Sequence, residues 1–221
     1  MTNVAEIRRG FAAADLLAAA SGLARATIAE ECAAQCLENE SVLLCIRESL
    51  FDGYLVRGEL CARRGLQPST SDGWTWPVRV IESGYALGRI GGKRTKHYFP
   101  SEILPSLARA IEGACFRRRH PMPGDANFEL AAGWISGARI EGSAIYANVV
   151  LFKREHALRA ALSMAREDGR LDLFGLSIEG SFRFQQRIRD GMPSTPIATS
   201  LDKLDGVDLV CEGGAGGRFL G

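Results

Sequence analysis

KREHALRAALSMAREDGRLDLFGLSIEGSFRF, residues 153–184, sets a helix directly against a strand. Its first part is built of Ala, Leu, Arg and Glu, good helix formers, and stops at Gly169, where a helix C-cap belongs. From Asp172 the texture changes at once to the alternation of a half-buried strand, with Leu173, Phe174, Leu176 and Ile178 among polar residues and glycine. A strict repeat of such helix–strand junctions would make a doubly wound parallel sheet. Working outward, no strict repeat follows. Upstream, WPVRVIESGYALG (76–88), ACFRRR (114–119), FELAAGWISGARIEG (128–142) and SAIYANVVLF (143–152) all read as strands, punctuated by Gly137 and Gly142. SEILPSLARAIEG (101–113) reads as a short helix, with Ser101 and Glu102 at its start and Gly113 as its C-cap. Downstream, the Pro-containing RDGMPSTPIATS (189–200) reads as a loop and LDGVDLVCE (204–212) as the last strand, before GGAGGRFLG. Short strands with helices between only some of them predict an α+β chain, an antiparallel or mixed β-barrel with peripheral helices.

Composition bounds the rest. The 221 residues are 46% hydrophobic and 24% charged, and 27 Lys+Arg against 26 Asp+Glu leave a net charge of +1. That length holds roughly one or two domains with a real core. The balance argues against a chain held to nucleic acid by bulk charge, and against a self-repelling disordered one. No run reaches the roughly 18 apolar residues of a spanning helix, so no membrane is expected. Glu6 and Asp15 interrupt the Ala-rich N-terminus, so no signal peptide is expected either and a soluble, cytoplasmic protein is anticipated. Residues 1–72 read as helical: no proline precedes Pro68, and Ile28, Cys32, Cys36 and then Val42, Cys45, Ile46 recur at three- and four-residue spacing. LQPSTSDGW (66–74) reads as a linker, so a helical region over 1–72 and a barrel over 73–221 are expected. Cys32 and Cys36 supply half of a metal site that nothing else completes, and the six cysteines read as reduced thiols.

Chemistry is sparse. There is no phosphate-binding GxxxxGK[ST] loop and no GxSxG. Eight Lys/Arg against two Glu lie between Arg89 and Arg119, which reads as a solvated rim, as a surface for acidic peptides, or as a lining for the approach to His120. Ser177, among Phe174, Leu176 and Ile178, is either a satisfied strand hydroxyl or a rigidly held nucleophile. Acyl transfer would need a base within reach of that hydroxyl and a group to orient the base. His120, its backbone limited by Pro121, is a candidate base; His156 is expected to be exposed and His97 is open. Asp205 and Asp208 are orienting candidates, and Asp208 is the more unusual because alternation puts it on the face opposite Val207 and Leu209.

LRAALSMAREDGRLDLFGLSIEGSF (158–182) resembles the serine segment of tailed-phage prohead (capsid maturation) proteases, in which a helix runs through DLFGLSI into the nucleophile strand. VRVIESGYALG and HYFPSEILPSLARAIEGACFRRRHP resemble the family's first strand, helix and histidine-bearing strand. ELAAGWISGARIEGSAIYANVVLF resembles its hairpin, and LDKLDGVDLVCEGGAGG its last strand and Gly-rich end. The resemblance spans about residues 76–217. It implies a closed, mainly antiparallel barrel surrounded by helices, similar to the herpesvirus assemblins. It implies a serine endopeptidase with Ser177 as nucleophile, His120 as general base and Asp208 (alternatively Asp205) as third member, needing no cofactor or metal. Backbone N–H groups near Gly213–Gly217, or Arg218, would form the oxyanion hole. The implied substrates are phage scaffold, major capsid protein extensions and the chain itself, inside the procapsid in the bacterial cytoplasm, with self-association and no specific nucleic acid. Family members often continue into a scaffold segment, which implies truncation after the last strand. Residues 1–70 match nothing in the family; an oligomerisation or regulatory role is expected there. The alternative is a non-proteolytic assembly protein that uses the same barrel.

Overall fold

The structure, a computed structural model, describes residues 40–63, 73–90, 93–122, 125–189, 192–211 and 213–221. The pattern at Ile28, Cys32 and Cys36 and most of the linker lie outside the described residues. The chain divides into two compact units: Met1–Ser69 with His156–Glu167, and Thr70–Glu155 with Asp168–Gly221. Among the described residues no helix is long and apolar enough to cross a membrane.

The second unit is built on nine strands: β1 (Thr75–Glu82), β2 (Gly84–Ile90), β3 (Lys93–Phe99), β4 (Cys115–Arg117), β5 (Ala131–Glu141), β6 (Ala144–Leu151), β7 (Gly175–Arg189), β8 (Met192–Val210) and β9 (Gly217–Phe219). Their order, β2-β3-β8-β4-β5-β6-β1-β9-β7, closes because β7 also pairs with β8, so seven strands form a closed mixed barrel and β2–β3 extends from β8. The strand pairs are antiparallel except β4–β8 and β3–β8, which are parallel. The described α-helices, in chain order, are α1 (Glu40–Arg63) in the first unit, α2 (Leu104–Ile111) and α3 (Asn127–Leu130) in the barrel unit, and α4 (His156–Glu167) in the first unit.

The interior follows from alternation. Trp76, Val78 and Val80 of β1 point inward, and the rings of Trp76, Phe116 and Phe174 all meet Phe219, with centroids 6.3, 6.3 and 6.4 Å away. Each such buried side chain is worth about 1.5–3 kcal/mol relative to exposure. α2 lies on β5, β6 and β8 through Leu104, Leu107 and Ile111, spaced for one helix face. A turn of 3₁₀ helix at Ser101–Ile103 leads into it, with Pro100 rather than Ser101 at the cap, and Gly113 follows it at φ +75°. In the first unit, Gly58 of α1 faces Ala157 of α4: a Cβ there would lie 2.2 Å from the Ala157 carbonyl oxygen.

Several boundaries depart from expectation. The stretch 189–200 is not a loop, since β8 already begins at Met192, and Arg189 pairs with Met192 across the hairpin tip. Proline argues against a strand, yet β3 reaches β8 only at Tyr98–Ile197, so this half of β8 has a partner mainly on one side, where proline is tolerated. Residues 217–219 add a ninth strand after the one expected to be last. β4 is three residues long, and α3 takes the start of the expected strand at 128–142.

Candidate active site

Ser177, Asp208 and Arg117 lie side by side on β7, β8 and β4. The register pairs Ser177 with Asp208 and Asp208 with Arg117, so the three side chains leave the same face of the sheet. Their strand neighbours Leu176, Val207, Leu209 and Phe116 take the opposite, core face. The alternation that made Asp208 conspicuous therefore puts an acid under a row of polar groups on the side away from the core.

Asp208 is fully buried, 0% exposed, and both its oxygens are engaged. Arg117 Nε donates to Oδ1 at 2.5 Å, and His120 Nδ1 lies 2.5 Å from Oδ2. A carboxylate oxygen accepts, so the ring proton sits on Nδ1 and Nε2 is left as the basic nitrogen. The His120 side chain is half exposed. Its pKa is raised above 6.5, first by the hydrogen bond to Asp208, against the cost of partial burial; the charges of Asp208 and Glu179 add to the rise and Arg117 opposes it. Among the described residues Ser177 Oγ makes no hydrogen bond, to His120 or to any other group. Such bonds are often long or absent before substrate binds.

The other candidates are occupied elsewhere. Asp205 falls where the β7–β8 register shifts and pairs with Lys203. His97 is buried between Phe99 and Phe184 with Nδ1 on the Thr95 carbonyl oxygen, and burial lowers its pKa. His156 opens α4 in the other unit and is exposed.

The basic run before His120 is part rim and part interior: Arg118 and Arg119 are exposed, Arg117 is buried. Arg117 is 2% exposed and bridges Asp208 and Glu179, donating from Nη2 to Glu179 Oε2 at 2.5 Å. Arg118 makes a two-point bond to buried Glu155, at 2.8 and 2.6 Å. Arg119 takes both oxygens of Asp125, whose Oδ2 also accepts from the Met122 backbone N–H at 2.6 Å, closing the loop that carries His120. Three adjacent arginines thus bind different carboxylates and fix the end of β4. Arg117 and Glu179 escaped the sequence reading because a charge run carries no mark of which member is buried; the one available hint was that Glu179 shares Ser177's strand face two residues on.

His120, Glu179 and Asp208 also offer ligand atoms within 4.8 Å of one another, the spacing of a metal site. A guanidinium already stands there: Arg117 holds one oxygen of each carboxylate, so a divalent ion would have to displace a buried cation. The donor set fits an internal ion network better than a metal.

The Gly-rich segment runs beside the strand that carries Ser177. Gly217 pairs with Leu176 and Arg218 with Gly175. A Cβ on Gly213 or Gly217 would come within 2.7 or 2.4 Å of the Leu176 carbonyl oxygen, so this close approach admits only glycine.

No family model matches the sequence, and no curated protein matches it. Among solved structures, the chain is similar to the bacteriophage T4 capsid assembly protease gp21, at a TM-score of 0.34 and 15% identity, over 62% of this chain and 97% of that one. A likeness this distant leaves the site to be read from its own geometry.

Proposed function

We propose that the chain is a serine endopeptidase in which Ser177 is the nucleophile, His120 the general base and Asp208 the orienting acid. The observation that carries this reading is the pairing of His120 Nδ1 with a fully buried Asp208 that stands directly across β7–β8 from Ser177. Buried acid, imidazole and hydroxyl are the parts of an acyl-transfer site, assembled from β8, the loop after β4, and β7.

In this mechanism, Ser177 Oγ bonds to the scissile carbonyl carbon while its proton passes to His120 Nε2. His120 then gives that proton to the leaving amine as the C–N bond breaks. Water repeats the sequence on the acyl-enzyme: His120 takes its proton, the ester bond breaks and Ser177 regains its hydrogen. Asp208 keeps the imidazole in the Nδ1–H tautomer and stabilises its charged form. Proton transfer of this kind contributes about 10²–10⁴-fold. Backbone N–H groups of the Gly213–Gly217 segment, or Arg218, are the proposed oxyanion donors.

The biological setting rests on the resemblance of LRAALSMAREDGRLDLFGLSIEGSF to the prohead proteases. On it we extend the reading to an assemblin-like barrel, to phage capsid maturation inside the procapsid, and to scaffold, capsid-protein extensions and the chain itself as substrates. Self-association and a regulatory part for residues 1–72 belong to the same proposal. The missing Ser177–His120 hydrogen bond is what a non-proteolytic assembly barrel would share. A serine-reactive fluorophosphonate separates the two: it should label Ser177 in the wild type and lose at least nine-tenths of that labelling in Ser177→Ala and His120→Ala. Equal labelling of all three chains would sink the assignment.

A further inference from the structure

We propose that Arg117 and Glu179 are positioning residues of this site: the Arg117 guanidinium fixes Asp208 with one oxygen aimed at His120, and Glu179 balances the guanidinium's charge. The proposal rests on the peptidase reading and adds to it two residues that act through Asp208.

A carboxylate can present either oxygen, in several orientations, to an imidazole. Here Arg117 Nε takes Oδ1 at 2.5 Å and leaves Oδ2 for His120. The guanidinium has a second anchor, Glu179 Oε2, also at 2.5 Å, so it cannot swing about the first. Gly206 makes the crossing possible. It pairs with Glu179 on β7, and a Cβ at this position would stand 3.0 Å from Arg117 Cζ and Nε. The absent side chain is the groove in which the guanidinium lies. A Cβ there is a tight contact, and the guanidinium would have to give way to it.

Charge is balanced by the same arrangement. Asp208 alone, fully buried, would be costly as an anion, and with Arg117 alone it would face His120 as a neutral pair. Glu179, whose side chain is 43% exposed, restores one net negative charge to the group that His120 contacts. The charged and titratable groups around the His120–Asp208 pair are Glu179 on β7, Arg117 on β4, Cys115 on β4 beside Arg117 and Asp208, and Arg119, whose Nη1 donates to the His120 carbonyl oxygen while held by Asp125. Glu179 and Arg117 act on the His120 charge with opposite signs.

The test uses the full chain and follows the His120 ring Cε1–H through a pH titration by NMR, in a Ser177→Ala background. There are three histidines in all, and a His120→Gln spectrum assigns the signal. Glu179→Gln, at a half-exposed position, should fold and should move the His120 midpoint to lower pH. Arg117→Lys keeps the charge but gives up the fork, so it should loosen the Asp208–His120 hydrogen bond and also move the midpoint to lower pH. With Ser177 present, Arg117→Lys should lower kcat by about 10- to 100-fold and leave KM within about threefold, because the residue orients Asp208 and meets no substrate. Glu179→Gln should shift the acid limb of kcat/KM to lower pH, parallel to the NMR midpoint. An unmoved His120 midpoint in folded Glu179→Gln overturns the proposal. A moved midpoint in a chain whose wild type shows no Ser177-dependent cleavage overturns the peptidase reading instead.

Discussion

Asp208 divides its two oxygens between an arginine and a histidine, and that division sets how activity should respond to pH. His120 must be neutral to accept the Ser177 proton, and its pKa is raised chiefly by the Asp208 hydrogen bond. The kcat/KM profile is therefore expected to fall as pH drops through that raised value, and a profile flat down to pH 5 would contradict the assignment. Asp208→Asn keeps the shape but loses the charge and the tautomer preference. It should lower kcat by roughly 10³–10⁴-fold, measured beside an unchanged far-UV spectrum. The same pairing bears on stability with a definite sign. The folded chain holds the His120 proton more tightly than the unfolded value of 6.5, so this contribution is complete below that value and is lost as pH rises through the folded one. Chemical denaturation of wild type and His120→Gln at pH 5 and pH 9 should show the larger difference at pH 5. At this scale the sequence was partly legible. An acid between Val207 and Leu209 had to leave the apolar face, which singled out Asp208. Arg117 was hidden because three consecutive arginines look alike until the register of β4 against β8 turns the first of them onto the buried polar row and leaves Arg118 and Arg119 in the loop.

Three residues close the barrel. β9 bridges β1 and β7, and its Phe219 is the ring on which Trp76, Phe116 and Phe174 converge. Phe219→Ala should cost about 3–5 kcal/mol in urea unfolding, the range for emptying a large aromatic site. Gly217→Ala faces backbone on two sides, 2.4 Å from the Leu176 carbonyl oxygen and 2.6 Å from that of Val80, so β9 must shift. A loss on the order of 1–3 kcal/mol is expected, together with reduced activity because the shifted contact adjoins the residue before Ser177. A Gly217→Ala chain as stable as wild type would contradict this packing. β1 and β6 declared themselves by alternation over most of their length. β9 did not, because three residues within a Gly-rich end contain no period to read. The first half of β8 was masked by its prolines, whose missing N–H groups matter only where a strand has partners on both sides.

At the scale of the whole molecule, the helix at 156–167 was legible as a helix but not as a partner of α1. Contact between elements separated by roughly a hundred residues leaves no mark in either sequence; the glycine that permits it, Gly58, looks like any helix-interior glycine until Ala157 is seen opposite. Gly58→Val should force α1 from α4, and hydrogen exchange should report faster opening in both helices; unchanged protection there would contradict the close approach. The strand-rich α+β character and the barrel, by contrast, followed from the spacing of strands and turns. The central claim, that these parts form a working peptidase, is tested most directly by intact-mass spectrometry of the chain co-expressed with the scaffold and major capsid proteins proposed as its substrates, wild type beside Ser177→Ala. Shortened capsid or scaffold chains should be found with the wild type and disappear with Ser177→Ala. The same shortened products from both chains, or full-length partners from both, would contradict it.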